Sequence, residues 1–282
     1  MNFETFSFKK VDGVMTIRLS NPPINLMSAK MVEELFQLTG GLRQDPDVRV
    51  IVIESANPDF FIAHFDLNDI VASASDPAKA SRYPDMNVLQ SLGLAWQALP
   101  QVKIAKINGR IRGGGLEFSL ALDMRFASRQ SLFCFPEASA GFLAAGGGAT
   151  RTLMAAGPAR GMEFLLSARD FTADEAERYG LINRALDDDA LDAYVAELAA
   201  RIALRSPAVV GMHREVSARA FSPMVEPLFA ALSAENDGMR AGLETAEMHE
   251  MMEMHLATGQ AAELELDLPA TMAGFIVKRS GR

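Results

Sequence analysis

The tightest limit on the fold comes from the stretch Ile107 to Leu120, I-N-G-R-I-R-G-G-G-L-E-F-S-L. It reads as strand, turn, helix. A short apolar run from Lys103 ends at Asn108-Gly109, a turn signal. Gly113, Gly114 and Gly115 follow, and Leu116, Leu120 and Ala121 then share one face of a helix. A glycine run entering a helix lets backbone approach a ligand and turns unbonded N–H groups toward it. Glu117 sits one turn inside that helix among apolar residues, a candidate acid or base beside an anion-stabilising turn. A tight turn with a carboxylate favoured by the helix dipole explains the same letters. The phosphate-loop readings do not fit, because G-K-[ST] is absent and G-x-G-x-x-G does not match.

On either side of this stretch, strand and helix signals alternate. Phe6–Lys10 and Val14–Leu19 flank Asp12-Gly13, a hairpin signal. Ser28 suits the N-cap of a helix over Ala29–Leu42, with Met31, Leu35, Leu38 and Leu42 as its apolar stripe. Val48–Ile53 is β-branched and reads as a buried strand. A helix is expected to start near Asp66, Ala72–Tyr83 reads as a mobile segment, and Asn87–Leu99 is amphipathic with Leu89, Leu92, Trp96 and Leu99 inward. Met124–Ala127 and Ser131–Phe135 read as strands, and Pro136-Glu137 ends the second. A second glycine loop, Gly146 to Gly148, leads into a helix carrying Arg151. Thr172 with Glu175 forms a capping box. From Asp189 onward only helical patterns remain, and Met239, Met248, Met251, Met252 and Met254 favour core or subunit contacts. The chain therefore divides into an α/β part, residues 1–204, and a helical region, residues 205–282. No clean internal repeat is visible.

Composition excludes several functions. A net charge of −9 opposes general nucleic-acid or membrane binding. The one cysteine, Cys134, excludes an intramolecular disulfide and a Cys-rich zinc site. The four histidines show no His-Glu-x-x-His spacing, so neither a zinc hydrolase nor any bound metal is expected. With no signal-peptide pattern and no apolar run near roughly 20 residues, a soluble cytoplasmic protein is expected.

Several motifs in fixed order resemble the enoyl-CoA hydratase/isomerase (crotonase) family. They are Asn21-Pro-Pro-Ile-Asn25-Leu-Met-Ser28, Phe61 to Leu67, Asn108-Gly109 through Glu117, and Asp123-Met124-Arg125-Phe126-Ala127. Pro136-Glu137, Gly146 to Arg151 and Gly180-Leu181-Ile182-Asn183 complete the set. The resemblance implies a spiral of β-β-α units with a helical C-terminal trimerisation region, as homotrimer or hexamer. It implies acyl-CoA thioester substrates and no separate cofactor. Phe65 N–H and Gly114 N–H are then the donors to the thioester oxygen, and the Ala63 carbonyl faces adenine. Glu117 and Glu137, 20 positions apart, are then the pair that holds the reacting water. Glu117 is assigned the deprotonation of water and Glu137 the Cα proton, and the reverse division stays open. Leu26, Ala63, His64, Asp66, Leu67, Arg112, Gly113, Phe275 and Lys278 are the expected CoA contacts, the last two reaching a neighbouring subunit.

The chain departs from the family at three places. His64 stands where glycine is usual, as a structural residue or a proton carrier. Arg110 and Arg112 stand where apolar or small residues are general, to meet a CoA phosphate, a substrate carboxylate, or acidic groups at a subunit contact. Asn68 and Asp69 stand where relatives often carry lysine. A hydratase-type lyase is the leading reading. Alternatives are an enoyl-CoA isomerase, thioester hydrolysis, or a non-catalytic CoA-binding relative. RNA binding is disfavoured, since Lys30 and Arg43 are offset by Glu33 and Glu34.

Overall fold

The computed structural model describes residues 3–74, 86–221, 225–258 and 260–280. Residues 75–83 of the segment read as mobile lie outside the described residues.

The chain opens with an antiparallel hairpin, β1 (Phe6–Val11) and β2 (Val14–Leu19), paired Val11 to Val14. Asp12 at φ 48° and Gly13 at φ 83° make the two-residue turn whose twist matches the flanking strands. Ser28 caps α1 (Ala29–Leu42) through the Met31 N–H, and Met31, Leu35, Leu38 and Leu42 are buried as the stripe predicts.

The chain then repeats one geometric step. β3 (Val50–Ser55) leads to β4 (Phe60–Ile62), β5 (Val102–Ile107) to β6 (Arg110–Arg112), and β7 (Met124–Ser128) to β8 (Leu132–Cys134). In each pair the first strand joins a six-stranded sheet ordered β1-β2-β3-β5-β7-β10, with β10 at Arg184–Leu186. The second joins a four-stranded sheet ordered β4-β6-β8-β9, with β9 at Phe171–Thr172. Pairing runs parallel from β2 to β10 and from β4 to β8, as Val50 beside Val102 and Ile104 beside Met124 illustrate. A helix follows each pair: α2 (Leu67–Ala74) with α3 (Val88–Gln97), then α4 (Gly113–Leu120), then α5 (Gly148–Ala156). This is a spiral of β-β-α units, repeated in geometry though not in letters.

The main core fills the space between the sheets and these helices. Trp96 is fully buried and meets Phe118 edge to face, ring centroids 5.3 Å apart. α8 (Asp188–Ala203) covers the large sheet with Leu191, Val195 and Ala199 against Val50, Val52, Ile104 and Phe126. Every described element from Asp188 onward is a helix: α9 (Pro207–Phe221), α10 (Val225–Leu243), α11 (Ala246–Thr258), α12 (Ala262–Glu265) and α13 (Leu268–Ser280). α11 packs Met248 and Met252 on Leu67 and packs Met251 on Leu268 and Met272. Three of the five methionines singled out in the sequence are thus core residues of one chain.

Candidate active site

The site forms where α4 begins. Its first turn carries N–H groups with no intrahelical acceptor, among them that of Gly114. Glycine is required next door, because a Cβ on Gly115 would lie 2.5 Å from the Ile62 Cβ. That close approach brings α4 against the loop after β4. A Cβ on Gly114 would stand 3.0 Å from the Phe65 Cβ and 3.6 Å from the Phe65 nitrogen.

The Phe65 N–H is oriented from behind. Met27 N–H donates to the His64 carbonyl at 2.9 Å, and Asp66 N–H donates to the Met27 carbonyl at 3.0 Å. This isolated parallel bridge uses groups on either side of Phe65. In a trans peptide the N–H points opposite to its carbonyl, so anchoring the His64 C=O aims the Phe65 N–H away from β-bridge partners. The sequence-predicted donors, Phe65 and Gly114, are therefore neighbours.

Glu117 and Glu137 are both buried, 3% and 8% exposed, but they are held differently. Glu117 Oε1 accepts the N–H groups of Gly146 at 2.6 Å and Gly148 at 3.1 Å, at the start of α5. Glycine fits there because a Cβ on Gly146 would lie 2.4 Å from Glu117 Oε2. Burial, with the negative charge of Glu235, pushes the Glu117 carboxyl up to about 8 against the lowering effect of those two N–H donors. Glu137 begins the short 3-10 turn Glu137–Ala140 after β8. Its Oε1 would be 2.8 Å from a Cβ on Gly113, which places it beside the turn into α4. Its Oε2 is buried with no hydrogen-bond partner among the described residues. Burial and the Glu117 charge raise its pKa well above the ordinary carboxylate value.

A third carboxylate was not singled out in the sequence. Glu235 of α10 accepts Gly147 N–H at 2.8 Å and Thr150 N–H at 2.6 Å, sharing the α5 N-terminus with Glu117. Burial raises its pKa, although Thr150, Gln90 and Gly147 donate to it. Arg151 lies buried beside both carboxylates, and burial lowers its pKa while their charges oppose that shift. No local pattern marks Glu235: it comes from the helical region, 85 residues after Thr150.

The remaining predicted contacts divide. Ala63 and Leu67 are buried and Leu26 is half-buried around the loop after β4. Asp66 turns inward to the protein: its Oδ1 accepts from Asn68 N–H at 2.9 Å and from Gln260 Nε2 at 3.1 Å. Asp69 accepts the Ala29 N–H at 2.6 Å and so caps α1. Arg112 requires a correction. It is fully buried, bound to Asp170 through Nε at 3.0 Å and Nη2 at 2.7 Å, and Nη1 donates to the Glu265 carbonyl at 2.6 Å. With all three nitrogens engaged inside the chain, it has no face for a CoA phosphate or a substrate carboxylate. Arg110 donates to the Leu266 carbonyl at 2.9 Å. Phe275 packs within its own chain beside His255, centroids 6.1 Å apart, and Lys278 is exposed. His64 is 5% exposed and points to Glu265, with Nε2 3.0 Å from Oε1. Burial opposes charge on Glu265, but bonds from His255 and His64 outweigh it and hold the carboxyl at about 2.

The Phe65 and Gly114 backbones lie close together beside two buried carboxyls whose pKa values are both raised, an arrangement of backbone donors and proton-holding groups that suits catalysis by proton transfer. The model of the enoyl-CoA hydratase/isomerase family matches residues 9–262, and the chain belongs to that family. The carnitinyl-CoA dehydratase of Proteus mirabilis is 33% identical over 206 residues, 72% of this chain and 76% of that protein. A Streptomyces avermitilis protein, provisionally described as an enoyl-CoA hydratase, has a solved structure matching 98% of this chain and 99% of its own. The identity is 35% and the TM-score 0.88. An enoyl-CoA hydratase from Bacillus halodurans, 22% identical with a TM-score of 0.78 over 89% of this chain and 99% of its own, shares the fold.

Proposed function

We propose that this enzyme adds water across the double bond of a 2-enoyl-CoA thioester, or removes it in the reverse direction. The observation that carries this reading is the unequal treatment of Glu117 and Glu137. Hydration needs one ionised carboxylate to take a proton from water at Cβ and one protonated carboxyl to deliver a proton to Cα. Glu117, with two N–H donors on one oxygen, is the easier of the two to ionise. Glu137, whose own buried Oε2 has no hydrogen-bond partner among the described residues, keeps its proton. Glu117 therefore acts on the water and Glu137 on Cα. As negative charge moves onto the thioester oxygen, Phe65 N–H and Gly114 N–H receive it.

The name of the Proteus mirabilis relative, a dehydratase, fits the same chemistry run backwards. A double-bond isomerase needs no carboxylate to hold water, and Glu117 is then without a task. The CoA moiety is assigned to Ala63, Leu26, Leu67 and Gly113, without Arg112. The test is to offer crotonyl-CoA and a 3-enoyl-CoA separately. Loss of the conjugated enoyl absorbance with crotonyl-CoA supports hydration. Gain of that absorbance from the 3-enoyl-CoA, with crotonyl-CoA untouched, overturns it in favour of isomerisation.

A homotrimer or hexamer built on the helical region, residues 205–282, belongs to the same proposal. Val209, Met212 and Val216 of α9 are 38%, 56% and 67% exposed at helical spacing, an apolar face suited to a second copy.

A further inference from the structure

The oxyanion loop is tied to the C-terminal helices by a buried cluster that the hydration chemistry does not use. His64 lies in that loop, His255 on α11 and Glu265 at the end of α12, and they are 5%, 7% and 0% exposed. One ligating atom from each falls within 4.8 Å of the others. His64 Nε2 is 3.0 Å and His255 Nε2 3.5 Å from Glu265 Oε1. Four-coordinate zinc, with bonds of about 2.0–2.1 Å, has ligand atoms separated by about 3.3 Å. The two observed separations bracket that edge.

Two further observations point to a cation. Glu265 Oε2 is buried and has no partner among the described residues, although a buried carboxylate oxygen left bare is costly. His64 Nδ1 is 2.8 Å from the Phe65 carbonyl. A neutral imidazole has one N–H, and spending it on that carbonyl turns the bare Nε2 lone pair toward the Glu265 carboxylate. Either a proton on Nε2, which makes it the donor to Glu265, or a metal cation in its place joins the two groups. An Nδ1–H bound to a backbone carbonyl is the usual outer support of a histidine that ligates through Nε2. The Arg112 bond to the Glu265 carbonyl fixes the carboxylate's backbone, and Asp170 neutralises that arginine.

We propose that His64, His255 and Glu265 bind one divalent transition-metal ion of the zinc type, which pins α11 and α12 to the loop carrying the Phe65 N–H. Glu265 supplies one or both oxygens. The ion has a structural task and takes no part in hydration. The spacing test applied to the sequence looks for ligands on one helix, whereas these lie 191 and 10 positions apart. This inference stands independently of the proposed hydratase reaction.

The test uses the full chain without a histidine tag. Chelator-treated protein is titrated with Co²⁺, followed by visible absorbance, and then with Zn²⁺. The expected result is a cobalt band that saturates at one equivalent, vanishes on adding Zn²⁺, and is accompanied by a higher Tm. His255→Ala and Glu265→Gln are expected to lose the band, while His249→Ala, an exposed residue of α11, keeps it. No saturable band in the wild-type chain, with Tm indifferent to chelator and Zn²⁺, overturns the site. So does equal uptake by a folded His255→Ala variant. Should both variants fail to fold, the wild-type titration and its displacement by zinc decide the matter alone.

Discussion

Glu117, the base of the proposed reaction, also carries a stability cost. Its folded pKa, about 8, lies above the ordinary value of 4.5. The folded state therefore holds that proton more tightly than the unfolded chain. The stability it contributes is complete below about pH 4.5 and is lost as pH rises through about 8. Thermal midpoints measured across this window are expected to fall with rising pH, and the Glu117→Gln variant to show a shallower fall. A slope unchanged by the substitution contradicts the assignment. Over the same window the hydration rate is expected to rise as Glu117 ionises, provided Glu137 keeps its proton. Trp96, fully buried against Phe118, tests packing: Trp96→Ala is expected to cost about 3–5 kcal/mol, read from denaturant midpoints. At this scale the sequence was informative about which residues matter and less so about their partners. Glu117 and Glu137 lie in recognisable motifs. The partners of His64 and Arg112 lie about 200 and 60 positions away, where no local pattern points to them.

At the level of elements, Glu117 links α4 and α5: it stands on the first and accepts N–H groups at the N-terminus of the second. In the proposed reaction α4 supplies a donor for the substrate oxygen, while α5 supplies N–H donors to Glu117 and Glu235. The fit at Ile62 that seats α4 allows a specific prediction. Gly115→Ala places a Cβ 2.5 Å from the Ile62 Cβ, so α4 must shift. A stability loss of about 1–3 kcal/mol is expected, together with a fall in turnover because Gly114 moves with it. Unchanged turnover with unchanged Tm contradicts the close seating. Most elements were legible because their signals are local. Ser28 caps α1, and Thr172 with Glu175 caps α7 (Ala173–Arg178), as read from the letters. Leu89 is the instructive exception. Its helical spacing matches Leu92 and Trp96, yet it is only half-buried, packed at the margin of the core beside the Gly114 and Gly146 positions. Periodicity identifies the inward face of a helix without distinguishing the centre of the core from its margin at the candidate site.

On the scale of the whole molecule, the parallel pairings order the chain. Each β-β-α turn adds one strand to each sheet, and the second and third turns deliver Gly114, Glu117 and Glu137 to one end. Because pairing is parallel, the repeat is fixed by backbone hydrogen bonds and burial rather than by identical residues, which is why no repeat is visible in the letters. The C-terminal helices then close over the site, with Glu235 and Glu265 reaching back into it and beneath it. Light scattering is expected to give a mass three or six times 30.5 kDa, and Met212→Glu with Val216→Glu on α9 to lower it. A monomer mass for the unaltered protein contradicts the proposed assembly.

The most direct measurement is crotonyl-CoA hydration by the wild-type protein beside Glu117→Gln and Glu137→Gln. Both substitutions keep size and polarity while removing the titrating group. Turnover is expected in the wild type and a drop of about 10²–10⁴ in each variant, with circular dichroism and acyl-CoA binding retained. Wild-type binding without turnover, or turnover that survives either substitution, contradicts the assignment of these two carboxyls to the hydration of a 2-enoyl thioester.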